Sequence, residues 1–178
     1  MIQIPIEEGW EEEARFVQNM ILDSLAEQKK LLSYTKLAEK DAYKTGHLGE
    51  LALRRFFDNH GVEYHWDFQF NGCGQDDRVD FYCHDHYGKA INLDIKTAGK
   101  AHYQELMTPS SNYYMPSKVT HYVGAKIVRK AVQLWGFIPK HDITEERMVK
   151  VMSRCKKLRD LREIKTLALN LRKQRDAA

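Results

Sequence analysis

The sequence predicts a single domain of mixed α/β class, in which a mixed sheet of about five strands is flanked by helices. Two observations lead to this prediction. In the first 60 residues the apolar side chains recur with the 3.6-residue period of a helix, and from residue 62 the pattern changes to the two-residue alternation of strands. The chain has 178 residues, 43% of them hydrophobic, which is enough for one hydrophobic core.

Two helices are predicted before the sheet. Residues 9–32 bring their apolar side chains to one helical face, with glutamates on the other faces. Residues 35–60 form the second helix, with an interruption near Gly46. Gly61 follows this segment and suits the position after a helix C-cap, so the helix is expected to end there.

Five strands are predicted next, at residues 62–70, 78–84, 90–97, 119–128 and 131–139. The short turn between the second and third strands predicts an antiparallel hairpin. A long loop with several tyrosines separates the third strand from the fourth. Loops of this length are uncommon in compact domains and are often functional.

A basic helix is predicted at residues 144–175. The net charge of +3 is unevenly distributed, because residues 1–27 carry −6 and residues 145–175 carry +7. A basic C-terminal helix fits an anionic partner, and nucleic acid is the usual one. A solvated helix face with surplus lysine and arginine explains the same charge.

The sequence also predicts a cytoplasmic protein without a membrane segment. No apolar run approaches the roughly 20 residues that cross a bilayer. The N-terminus turns acidic by Glu7, unlike a secretory signal, and three widely spaced cysteines cannot close a disulfide framework.

Charged residues interrupt the predicted hairpin. Asp94 and Lys96 are two positions apart on its second strand and therefore share a face, while Asp80 lies on its first strand. Charges near a core are costly unless they are paired or bind a metal. Carboxylates suit hard divalent cations such as Mg²⁺ or Mn²⁺.

These residues resemble the PD-(D/E)xK nuclease superfamily, which has the restriction-endonuclease-like fold. In that family a helix carrying a Glu precedes a hairpin that supplies an Asp and then an acidic-x-Lys triplet. The corresponding residues here are Glu50, Asp80, Asp94 and Lys96. The resemblance covers about residues 46–138, which makes residues 9–45 a helical extension. The Pro of the motif is absent, since a valine precedes Asp80.

The resemblance implies an Mg²⁺- or Mn²⁺-dependent endonuclease that hydrolyses phosphodiester bonds in DNA. Asp80, Asp94 and the backbone carbonyl of Ile95 would hold the metal. Glu50 would bind the metal, directly or through water, or orient the site. Lys96 would position the attacking water and stabilise developing charge. Beside carboxylates it is expected to stay protonated.

Contacts with nucleic acid are also predicted in and beside the long loop that follows the third strand. Lys100, His102 and Lys118 are candidate phosphate contacts. Members of this fold that cut duplexes often pair their subunits, so a homodimer is compatible with the sequence. The apolar faces of the first and last helices would serve such a dimer, or equally the core of a monomer.

Three other interpretations stay open. Asp94 and Lys96 could form an ordinary exposed ion pair on an edge strand, worth at most about 1 kcal/mol. The chain could be a nucleic-acid-binding or assembly protein that does not cut. It could also be an unrelated mixed-sheet protein, in which the Asp80 and Asp94 carboxylates would point apart.

A zinc site is a weaker alternative. Its ligands would come from Cys73, Cys83, His84 and His86. Their spacing does not match the paired ligand units that zinc sites commonly use.

Overall fold

A computed structural model describes residues 1–27, 37–67, 79–100, 102–109, 118–148 and 152–173. These residues contain three α-helices and nine β-strands, and the mixed α/β class that the sequence predicts is confirmed. Within the described part of the chain, no helix combines the length and apolar character needed to cross a membrane.

The helices and the strands are each numbered in chain order. The helices are α1 (Trp10–Glu27), α2 (Leu37–Asn59) and α3 (Ile164–Asn170). The strands are β1 (Ile2–Pro5), β2 (Tyr64–Trp66), β3 (Phe81–His84), β4 (Ala90–Ala98), β5 (Glu105–Pro109), β6 (His121–Val128), β7 (Ala131–Pro139), β8 (Glu145–Met148) and β9 (Met152–Lys157).

Six strands form the larger sheet, in the order β1-β7-β6-β4-β3-β2. Strands β4 and β6 are parallel, and the other neighbours are antiparallel. The predicted hairpin is confirmed, since β3 and β4 pair antiparallel with Phe81 opposite Leu93. Strand β4 therefore lies inside the sheet, between β3 and β6.

Both N-terminal helices agree with the prediction where the structure describes them, with one correction. Helix α2 runs through Gly46 without the expected interruption. The resemblance implies a boundary between residues 45 and 46, where the helical extension meets the core. This boundary would therefore fall inside one helix. The N-terminal segment also contributes β1, which pairs with β7 of the larger sheet.

The prediction of a C-terminal helix at residues 144–175 is wrong over most of its length. Residues 145–148 and 152–157 are β8 and β9, and only Ile164–Asn170 is α-helical. Strand β9 pairs with β5, whose residues were expected to belong to the long loop, and the three strands form the smaller sheet. This pairing between distant segments overrides the local helical pattern.

Two apolar cores cover the two faces of the larger sheet. The first lies under the helices and includes the following side chains: Ala14, Leu48, Ala52, Leu53, Phe56, Phe57, Phe81, Leu93, Ile95, Val123, Ile164 and Leu167. The second joins the two sheets through Leu106, Tyr122, Ile138, Ile143 and Leu158. Apolar residues of α1 and α3, among them Ala14, Ile164 and Leu167, are thus buried within one chain and contribute to its core.

Helix α2 approaches β4 most closely at Gly49. A Cβ atom built on Gly49 would lie 1.8 Å from Thr97 Oγ1 and 3.0 Å from Thr97 Cβ. Both distances are shorter than van der Waals contact allows, so any larger residue here requires the Thr97 side chain, the helix or the strand to shift. At Gly46, one turn earlier, a Cβ atom would have no neighbour within 4 Å. Gly49 therefore determines how closely α2 packs on the sheet.

Gly49→Ala is expected to lower the free energy of unfolding, because the added methyl group overpacks the α2–β4 contact at a cost of about 1–3 kcal/mol. The gain in helix propensity, about 1 kcal/mol, offsets part of this cost. Urea unfolding measures the net effect.

Gly46→Ala is the matched control. It brings the same gain in helix propensity without the steric conflict, so it should stabilise the protein by up to about 1 kcal/mol. Equal effects at both glycines would contradict the close contact at Gly49.

Candidate active site

Asp80 lies at the point where β3 separates from β4. Its backbone N–H donates to the carbonyl of Leu93, the residue that pairs with Phe81, at 2.8 Å. Beyond this pair, Asp80 Oδ2 accepts a hydrogen bond from the N–H of Ile95 at 2.7 Å. The carboxylate thus takes the place of a backbone carbonyl of the neighbouring strand as the acceptor for this N–H of β4. Because the N–H and C=O of one strand residue point to the same side, the Ile95 carbonyl faces this side too.

Asp94 and Lys96 are in direct contact on one face of β4. Lys96 Nζ lies 2.7 Å from Asp94 Oδ2. The Lys96 side chain is 38% exposed and the Asp94 side chain is 9% exposed. Strand β4 is an interior strand, and the Asp94 carboxylate is almost fully enclosed. The interpretation as an exposed ion pair on an edge strand therefore does not fit.

Glu50 reaches the same region from α2. Its Oε2 atom accepts a hydrogen bond from Trp66 Nε1 at 3.2 Å and lies 3.7 Å from Nδ1 of His47. The Glu50 side chain is 22% exposed. Since Gly49 packs on Thr97 of β4, the neighbouring Glu50 is held at a fixed distance from the strand.

The electrostatics of Asp80 confirm that the acidic residues are neighbours. Burial raises the pKa of the Asp80 carboxyl well above its usual range, and the negative charges of Asp94 and Glu50 raise it further. Lys96 and the N–H of Ile95 act in the opposite direction, with smaller effects. The charges of Asp94, Glu50 and Lys96 therefore all act on the Asp80 carboxyl, which places these side chains in its neighbourhood.

Lys96 is held as an ammonium ion. Burial on its own would lower its pKa, but attraction to Asp94 and then to Asp80, with the hydrogen bond to Asp94, outweighs burial and raises the pKa of Lys96 above its ordinary value. A lysine that stays protonated through neutral pH is a donor and a positive charge, and it is a poor general base.

The donor set suits a hard divalent cation, although the side chains as they stand do not form a finished site. In the described residues, no group of three or more His, Cys, Asp and Glu is arranged to hold a metal ion. The contacts above use Oδ2 of Asp80, Oδ2 of Asp94 and Oε2 of Glu50. The second oxygen of each carboxylate and the Ile95 carbonyl are the oxygen ligands that Mg²⁺ or Mn²⁺ prefers.

The candidate phosphate contacts do not form one surface. Lys100 and His102 follow the C-terminal end of β4, and both side chains are exposed. Lys118 lies beside the start of β4, where its carbonyl accepts a hydrogen bond from Asn92 Nδ2. Six residues of strand, about 20 Å, separate Asn92 from Ala98. A role for any of these side chains in DNA binding stays a prediction.

The described residues do not support the zinc alternative. Cys83 is buried in the first apolar core, and this burial raises the pKa of its thiol to about 12. His84 is the next residue of the strand and points to the opposite face. His86 Nε2 lies 2.6 Å from the Leu169 carbonyl oxygen. Cys73 lies outside the described residues.

Sequence reasoning missed the residues that surround Glu50. His47 lies one helical turn before Glu50, and its ring stacks on Trp66 with the ring centroids 5.8 Å apart. Glu13 of α1 contacts the other side of His47. The separation of three residues between His47 and Glu50 on a helix was a usable signal, because residues three apart are neighbours on the helix surface.

No family model, no curated protein and no solved structure matches this chain.

Asp80→Asn is expected to stabilise the protein at neutral pH. The pKa of Asp80 is higher in the folded state than in the unfolded state, so stability falls as the pH rises from about 4 to the folded-state pKa. Asn removes this loss, which predicts a gain on the order of 1 kcal/mol at pH 7 and a smaller gain at pH 4. Urea unfolding in EDTA at both pH values measures it.

Asp23→Asn is the matched control, since Asp23 is exposed on α1. Its effect should be small at both pH values. An Asp80→Asn protein that is less stable than the wild type at pH 7 would show that the carboxylate is not strained by burial and repulsion.

Proposed function

We propose that this protein is a metal-dependent nuclease that hydrolyses phosphodiester bonds in DNA. The observation that carries the proposal is the Asp94–Lys96 ion pair on β4 beside Asp80, where β3 leaves β4, with Glu50 near enough for its charge to act on Asp80. Glu50 comes from α2, Asp80 precedes β3, and Asp94 and Lys96 lie on β4. This helix-then-hairpin order is the one implied by the resemblance to the PD-(D/E)xK superfamily, and it supports a restriction-endonuclease-like core.

The acidic side chains supply the ligands in this proposal. Asp80 and Asp94, with the Ile95 carbonyl, would hold Mg²⁺ or Mn²⁺, and Glu50 would join them directly or through water. When bound, such a cation polarises a phosphoryl oxygen and lowers the pKa of its water. Burial, and then repulsion from Asp94 and Glu50, raises the pKa of Asp80, so the site has an electrostatic reason to take up positive charge.

Lys96 contributes a second positive charge. Its ammonium donates to Asp94 Oδ2 at 2.7 Å and keeps further N–H groups for other acceptors. Since the pKa of Lys96 is raised, we assign it to orienting the attacking water and to stabilising negative charge on the phosphoryl oxygens.

Positive charge on the smaller sheet and α3 supports a polyanionic substrate. Lys157 of β9, Arg159 of the short turn that follows β9 and Lys165 of α3 are exposed. The choice of DNA follows from the family resemblance, and so does the proposal that two copies could pair to cut two strands.

Cleavage of supercoiled, linear duplex and single-stranded DNA tests this function, in Mg²⁺, in Mn²⁺ and in EDTA. The wild type should cut only with a divalent cation. Asp94→Ala removes a ligand and Lys96→Ala removes the charge that faces the phosphate, so each should lower the rate by about 100-fold or more.

Asp23→Ala and Lys130→Ala remove the same charges at exposed positions of α1 and of the β6–β7 turn, and they should cut like the wild type. Thermal melting confirms that each variant is folded. Salt-sensitive DNA binding without any cutting would replace the nuclease by the non-catalytic binding protein.

A further inference from the structure

His47 is one of the few polar residues buried in the described part of the chain. Its side chain is 2% exposed. A buried imidazole needs partners for its ring nitrogens, because an unsatisfied buried polar group costs about 1–3 kcal/mol. The partners of His47 are therefore informative.

Both ring nitrogens of His47 face carboxylates. Nε2 lies 3.2 Å from Glu13 Oε1 of α1, and Nδ1 lies 3.7 Å from Glu50 Oε2. The first distance is that of a hydrogen bond, and the second is an electrostatic contact slightly beyond hydrogen-bonding range. His47 thus bridges an outer carboxylate and a carboxylate of the candidate active site.

Trp66 is a second partner of Glu50. Its ring stacks on His47 with an interplanar angle of 28°, and its Nε1–H donates to the same Oε2 atom that faces His47. Two groups on different elements, α2 and β2, therefore hold one oxygen of Glu50. Partners of this kind fix the orientation of a metal-site carboxylate and reduce the freedom that it must lose on binding.

We infer that His47 is a positioning residue for Glu50, and that it ties the metal site to α1 through Glu13. The inference rests on the proposed function, since it assigns Glu50 to metal binding. The acidic first turn of α1 then has a role in holding α2. Glu11 pairs with Lys44 at 3.3 Å, and Glu13 contacts the imidazole of His47, one turn further along α2.

Mn²⁺ titration of the whole chain by calorimetry tests this role without requiring cleavage. His47→Leu removes both nitrogens and keeps an apolar side chain against Trp66, so Mn²⁺ should bind about tenfold more weakly. His47→Gln keeps an N–H donor and should recover part of the affinity. In a chain that already carries Glu50→Gln, His47→Leu should have no further effect, because its effect acts through Glu50.

His60→Leu is the control for a purely structural effect. His60 closes the same helix, with Nδ1 2.8 Å from the Phe56 carbonyl oxygen, and it lies ten residues, about 15 Å of helix, from Glu50. It should lower the melting temperature without changing Mn²⁺ affinity.

The outcomes separate the two proposals. If the wild type binds Mn²⁺ and His47→Leu binds it equally tightly, or if the effects of His47→Leu and Glu50→Gln simply add, His47 is not a positioning residue. If the wild type neither binds Mn²⁺ nor cuts DNA, the proposed function fails and this inference fails with it.

Discussion

The hydrogen bond from the N–H of Ile95 to Asp80 Oδ2 is the contact on which the candidate site depends. An interior strand cannot leave its backbone groups without partners, and β3 stops pairing with β4 at this point. A side-chain carboxylate takes over where the backbone partner ends. Because the N–H of Ile95 needs an acceptor, a negative charge is brought to the sheet, next to the pair formed by Asp94 and Lys96.

The resulting charge arrangement is unbalanced, because Lys96 is one cation among the carboxylates of Glu50, Asp80 and Asp94. Repulsion and burial raise the pKa of Asp80, whereas the same carboxylates stabilise the ammonium of Lys96. A fold selected for stability alone would have little reason to keep such a cluster, since perturbed titratable groups concentrate at functional sites. The two apolar cores on either side of the sheet supply stability that offsets the cost of this charged cluster.

The sequence predicted the parts of this arrangement that depend on local pattern. Strand alternation was enough to give Asp94 and Lys96 one face, and the short turn was enough to pair β3 with β4. The C-terminal strands were missed because an apolar pattern near the helical period fits residues 145–157, and what decides their conformation is a partner at residues 105–109. Strand β1 has only four residues, too few to show an alternation. The contact of Glu13 with His47 depends on the packing of α1 against α2, which a single sequence does not reveal.

The outer strands of both sheets are short. As the structure describes them, β1 and β2 have four and three residues at the edges of the larger sheet, and β5 and β8 have five and four at the edges of the smaller one. β1 and β5 also end in proline, which has no N–H to offer a further strand. Another chain that added itself as a strand would gain few backbone hydrogen bonds at any of these edges. The described parts of these edges therefore offer little support for growth by strand addition, the route by which exposed sheets aggregate.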